Sequence, residues 1–439
     1  MIRLLFVVLA AAIFAQPAID PGLAAQYFDQ AAAACHADNG TLWGVSLCGP
    51  MLFADPATHS VVTNQADGEG KLTRSGAVFT GQLPAAENIA NTAFNWAGIR
   101  WTMVAWPLPE DPRARQQLMM HEVFHRVQES LGFPMTAPSN AHLDTIDGRV
   151  WLRLEWRALK RAVTAIGDAR RQAIKDALVF RTYRRSIFTE AGNQERELEM
   201  SEGLAEYTGV KLSGRSDAEM RHSLAAQIER AEGGRTFVRS FSYESGPAYG
   251  VLLDDSGSHW RSGLKPANDL GDMLAKAFSI ELPGDLHKAA EAGLARYDGE
   301  ALRAEERARE KRRQKSLRDY QARLVDSPVL VIRLRKMNIQ FDPNEVTPLG
   351  EHGTVYPHLR VTDEWGALTA SRGALVSSDW TQVTLPAPAR PEAVPLEGDG
   401  WKLELKPGWK LERGKRPGDY TLARFSRDSS ARLRSSPQR

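Results

Sequence analysis

The residues best equipped for chemistry are His121, Glu122 and His125, in the run His121-Glu122-Val123-Phe124-His125. Two histidines four positions apart share one face of a helix. Their imidazoles then reach a single metal ion. Glu122 follows the first histidine and leans toward the same ion without binding it. A carboxylate so placed takes a proton from zinc-bound water and passes it to a leaving amine. The chain has only two cysteines, Cys35 and Cys48, so an all-thiolate site is excluded. The metal must rely on histidine and carboxylate, which points to one Zn²⁺ with an open coordination position.

The helix that carries this run is well marked. Asp111 is a good N-cap, Pro112 a good first helical residue, and Gly132 a stop. A helix over about 112–131 follows. Zinc needs a third protein ligand, and the candidates downstream are Glu202, Asp144, His142 and Glu199. A second helix, Glu195 to Leu212, is closed by Gly214 and contains both Glu199 and Glu202.

The segment Ser201-Glu202-Gly203-Leu204-Ala205-Glu206-Tyr207 resembles the third-ligand segment of gluzincin metallopeptidases. In that superfamily a Glu, often followed by Gly-x-Ala, completes the zinc site. The resemblance implies that Glu202 joins His121 and His125 as ligands. It also implies that Glu206, four residues on, orients a ligand histidine, and ligand histidines do need such a partner. Phe241 to Leu253 is similar to the Tyr-Glu-x-Gly segment of gluzincin aminopeptidases, where the Tyr hydroxyl stabilises the oxyanion. The matching residue is Tyr243, with Tyr249 as the alternative.

The chain also departs from that group. The separation 202−125 is 77, far longer than usual there. Asp144, at 144−125 or 19, has the usual spacing, and an aspartate ligand would resemble aspzincins instead. The Gly-x-Met-Glu-Asn strand that holds a substrate amino group has no counterpart. Ile99 to Trp106 is the expected edge strand for pairing with an extended peptide. The resemblance spans roughly residues 95–255.

Composition sets the frame. Lys+Arg 56 against Asp+Glu 54 leaves a formal charge of +2, which argues against nucleic acid as a partner. Arg3 followed by apolar Leu4 to Phe14 and by Ala15 reads as a signal peptide over 1–15. Export predicts a secreted or periplasmic protein, no stable membrane insertion after cleavage, and a Cys35–Cys48 disulfide.

The expected fold class is α+β. A zincin-like domain over 16–325 combines a small N-terminal sheet with active-site helices and a helical insertion at about 145–190. The sheet strands are read at Leu42 to Cys48, Met51 to Ala54, Val61 to Asn64, Ala77 to Thr80 and Ile99 to Trp106. Ala301 to Leu324 is a charged connecting helix. A small all-β domain over 326–426 follows, in which Trp365, Trp380, Trp401 and Trp409 are core or ligand-binding aromatics. The tail 427–439 reads as disordered. The leading function is zinc-dependent hydrolysis of a peptide or protein substrate. The alternatives are an exported zincin-fold binding or assembly protein with little catalysis, and a zinc amide or ester hydrolase.

Overall fold

The computed structural model describes residues 19–84, 87–341 and 346–425. The expected signal peptide and C-terminal tail lie outside the described residues. The fold is α+β, and it divides into two compact units after Leu302.

The N-terminal unit holds a six-stranded sheet. Its strands are β1 (Met51–Ala54), β2 (Ser60–Thr63), β3 (Thr73–Ser75), β4 (Val78–Gln82), β5 (Thr92–Trp96) and β6 (Ile99–Ala105), in the order β3-β4-β2-β1-β6-β5. β6 pairs with β1 in parallel and with β5 antiparallel, so it lies inside the sheet. This corrects the expectation that β6 is the edge. The reason is the turn Ala97-Gly98, where both residues have positive φ (49° and 75°). Such a two-residue turn folds one strand directly back on the other. β5 is therefore the edge strand on this side of the sheet.

Leu42 to Cys48, read as a strand, forms none. The Asp38 carboxylate accepts the Leu42 N–H, and Gly40 and Gly44 adopt left-handed backbone. Cys35 and Cys48 form a disulfide that ties this loop to the first helix.

The helices that build the site are α1 (Pro21–Asp38), α2 (Pro112–Gln128), α3 (Ile146–Thr164), α4 (Gly167–Ile187), α5 (Ala191–Leu198), α6 (Leu204–Lys211), α7 (Asp217–Ala231) and α8 (Phe241–Asp255). Asp111 caps α2 by accepting the Ala114 N–H at 2.7 Å. Beyond Gln128 one tighter turn reaches Leu131, and Gly132 ends it with φ 87°. The helix read over 195–212 is real but interrupted. Between α5 and α6, Glu199–Gly203 widens into a π turn. Such turns recur at functional sites.

α7 and α8 go beyond the helices expected from the sequence. α8 contains Gly246, Pro247 and Gly250, which local propensity disfavours in a helix. Packing explains them. A Cβ on Gly246 would lie 2.3 Å from the Gly203 Cα, and one on Gly250 would lie 2.3 Å from the Tyr207 ring. The glycines let α8 press directly against the π turn and α6. Similarly, a Cβ on Gly209 of α6 would lie 2.5 Å from the Gln117 carbonyl oxygen of α2. The core around these crossings includes Phe124, Trp156, Phe180, Tyr207, Phe237 and Tyr249.

α3 and α4 carry a buried ion cluster. Arg184 pairs with both Glu155 and Glu195, and Arg181 with Glu155, Glu199 and Asp269. These bonds anchor α5 and the start of the π turn.

In the C-terminal unit, the end of the helix Gly299–Gln321 packs Leu317 and Tyr320 against Leu349, Val355 and Leu375. That packing makes most of this helix part of the second unit, although strands begin only at Val329. The described strands form a seven-stranded and a five-stranded sheet. Trp365 and Trp401 are buried in their core, and Trp380 and Trp409 pack against it.

Adding one methyl at the tightest crossing should loosen the site. Gly246→Ala is expected to cost about 1–3 kcal/mol by overpacking. Urea denaturation read by far-UV circular dichroism checks it. An unchanged midpoint would show that the crossing relaxes freely.

Candidate metal centre

His121 and His125 project from one face of α2 and are buried. Each ring is held at Nδ1. The His121 Nδ1 lies 2.8 Å from Glu206 Oε2, and the His125 Nδ1 lies 2.7 Å from Gln128 Oε1. These partners turn both Nε2 atoms toward one point. The two Nε2 atoms are 3.1 Å apart, and Glu202 Oε2 lies 3.6 Å from the first and 3.4 Å from the second. Donor atoms about 2.0–2.1 Å from a tetrahedral ion stand roughly 3.3 Å apart. The three separations fit that edge length. The buried His121–His125–Glu202 group could therefore hold a metal ion.

The supporting contacts reach further. Glu206 Oε1 accepts from Gln117 Nε2 at 2.7 Å, and Gln128 Nε2 donates to Ser201 Oγ and the Pro134 carbonyl. The Tyr243 hydroxyl donates to Glu202 Oε2 at 2.6 Å, while its ring stacks on His121 with centroids 5.4 Å apart. Arg239 Nη2 donates to Glu202 Oε1 at 3.2 Å. Glu122 is buried beside His121, and its Oε2 has no hydrogen-bond partner among the described residues.

The electrostatics favour positive charge at the convergence point. Burial works against charge on His121, but hydrogen bonds to Glu202 and Glu206 outweigh it and push its pKa up to about 10. Burial likewise opposes the Glu202 charge, yet His121, His125 and Tyr243 hold its carboxyl well below the usual carboxylate range. Burial pushes Glu122 up, opposed by the two imidazoles and reinforced by Glu202 and Glu206. Burial and then the Glu202 charge push the Tyr243 hydroxyl up, so it stays a donor. A cation among the three donor atoms answers the same electrostatic demand as the protons it would displace.

The other candidate residues named from sequence face elsewhere. Asp144 accepts from the Phe237 N–H and the Thr236 hydroxyl. His142 pairs with Glu195, and Glu199 with Arg181. Tyr249 is buried and donates to Glu155. Comparison of the chain with family models, with curated proteins and with solved structures finds no match. The geometry alone therefore carries the assignment.

Gln117, Gln128 and Arg239 were missed from sequence. The two glutamines were within reach of pattern reasoning. They lie four before His121 and three after His125, so α2 presents them on the histidine face. Arg239 precedes α8, and only the fold brings it to Glu202.

The centre opens into a cleft of about 810 Å³. One wall runs through Asn91 and Thr92 at the start of edge strand β5, and another through Ser223, Gln227 and Arg230 of α7.

Metal analysis by mass spectrometry on the purified protein tests the ligand set. Wild type should carry one equivalent, Glu202→Ala should lose it, and Asp144→Ala should keep it. Gln128→Ala should weaken affinity about 10–100-fold. Full metal retention by Glu202→Ala would rule out this centre.

Proposed function

We propose that the protein is a Zn²⁺-dependent peptidase of gluzincin type with a zincin-like catalytic unit. The observation that carries the reading is Glu122. It is a buried carboxylate with an unpartnered oxygen, beside three donors spaced for a tetrahedral ion. His121, His125 and Glu202 would hold the metal, and two imidazoles with one carboxylate suit Zn²⁺. When bound, Zn²⁺ supplies Lewis-acid polarisation of a carbonyl and acidification of a water.

The chain's own groups supply the rest. Glu122, as the carboxylate, would take a proton from the attacking water and deliver it to the leaving amine, and burial, by raising its pKa, makes it a stronger base. Tyr243, already a donor beside the centre, would turn its hydroxyl from Glu202 to the developing oxyanion. Glu206 and Gln128 keep the two rings in register. The exposed edge of β5 beside the cleft offers main-chain groups to an extended peptide.

The Cys35–Cys48 disulfide and the apolar N-terminal run support an exported protein. No described helix is long and apolar enough to cross a membrane. One contact favours a non-catalytic binding role. Arg239 bonds the same carboxylate that would hold the metal, and it competes with the metal for that charge.

Glu122→Gln separates the readings. It should retain metal and lower peptide cleavage by about 10²–10⁴-fold. Tyr243→Phe should retain metal and lose on the order of 10²-fold in kcat. Cleavage by Glu122→Gln at the wild-type rate would sink the mechanism. Stoichiometric zinc with no turnover of a broad peptide library would favour the binding role.

A further inference from the structure

We infer that the ligand of this cleft presents a carboxylate to Arg215 and Arg230, so that the protein selects peptides by a nearby negative charge. The inference deepens the peptidase reading and rests on the cleft's being the substrate site.

The charges on the cleft wall are asymmetric. Apart from Glu122, Glu202 and Glu206 at the centre, and the two histidines, each charged side chain lining it is an arginine: Arg215, Arg230 and Arg239. Arg239 is engaged with Glu202. Neither of the other two forms an ion pair with a carboxylate among the described residues, although Arg215 lies within electrostatic reach of Glu219 and Arg230 of Glu244. Arg215 donates to the neutral Gln117 Oε1 at 2.9 Å, and the exposed Arg230 side chain makes no hydrogen bond or ion pair among the described residues. Arginines deeper in the same unit behave differently. Arg181, Arg184 and Arg185 are each matched to two or more carboxylates.

Arg215 is also bonded through to the centre, and Arg230 lies next to a residue that is. Arg215 reaches Gln117, Gln117 reaches Glu206, and Glu206 holds His121. Arg230 shares a face of α7 with Gln227, three residues earlier. Gln227 Nε2 lies 3.4 Å from Glu206 Oε1 and 3.1 Å from the Tyr243 carbonyl. A carboxylate received by Arg215 and Arg230 thus sits in the same cleft as the metal centre.

No acidic side chain lines the cleft outside the centre, so a substrate amine finds no anchor among the described residues. Guanidinium forks suit carboxylates, and these charge-assisted bonds are the strong ones. The carboxylate has two possible sources: the peptide C-terminus, or an Asp or Glu side chain near the bond that is cut.

Calorimetric binding to zinc-loaded Glu122→Gln protein, which should not consume the peptide, tests the inference. Three short peptides share one neutral sequence: a free C-terminal acid, the C-terminal amide, and the amide with one internal Glu. The free acid should bind at least about 10-fold more tightly than the amide if the C-terminus is read. The internal Glu should restore that affinity if a side chain is read. A combined Arg215→Gln and Arg230→Gln change, compared with the parent at matched zinc content, should erase the preference for acid over amide. Equal binding of all three peptides overturns the inference, as does a preference that survives the double change. Wild type that cleaves none of them, with the binding preference intact, removes the peptidase reading and leaves this one standing.

Discussion

Each candidate ligand imidazole is gripped from behind, at Nδ1, by a partner that is itself held. Glu206 fixes His121 and is braced by Gln117, while Gln128 fixes His125 and is braced by Ser201 and Pro134. With Nδ1 committed, each ring has one nitrogen left, and both face Glu202. Ring orientation is thus settled before anything binds, and no rotamer entropy is left to lose there. The same grip leaves Glu122 beside the centre with a buried, unpartnered oxygen.

That convergence needs three helices at close quarters. Side chains at the crossings would hold them apart, and glycine removes the obstacle. Gly209 brings α6 onto the backbone of α2, and Gly203 and Gly246 bring α8 onto the π turn. The π turn then decides which carboxylate faces the two histidines. Glu199 and Glu202 are three apart and would share a face of a regular α-helix. The wider turn rotates them apart, so Glu199 meets Arg181 and Glu202 meets the histidines.

The α3–α4 hairpin occupies much of the long gap between His125 and Glu202, and it acts as a clamp. Arg181 and Arg184 hold Glu199, the first residue of the turn that carries Glu202, and Glu195 just before it. Buried ion pairs contribute little net stability, because desolvation offsets their attraction. Their geometry is specific, however. An arginine fork accepts a carboxylate in few orientations, which fixes the rotation of α5 and hence of the segment after it.

Local patterns in the sequence determined the α2 helix, its Asp111 cap, the shared face of His121 and His125, and the alternation of sheet and helix. Those depend on neighbours within about four residues, where spacing dictates geometry. The third ligand was ambiguous, because Glu202, Asp144, His142 and Glu199 were all chemically able. The tertiary structure decided among them by satisfying three elsewhere: Asp144 at the Thr236 hydroxyl and the Phe237 N–H, His142 at Glu195 and Glu199 at Arg181. It also decided that β5 is a sheet edge, and that a glycine-rich segment becomes helix α8. Propensity could not foresee that helix, since its glycines serve contacts with α6 and the π turn rather than their own backbone. The sequence placed two histidines where they could share a metal ion. Only long-range packing decided what closes it, because a side chain's partner is whichever group the fold leaves unsatisfied beside it.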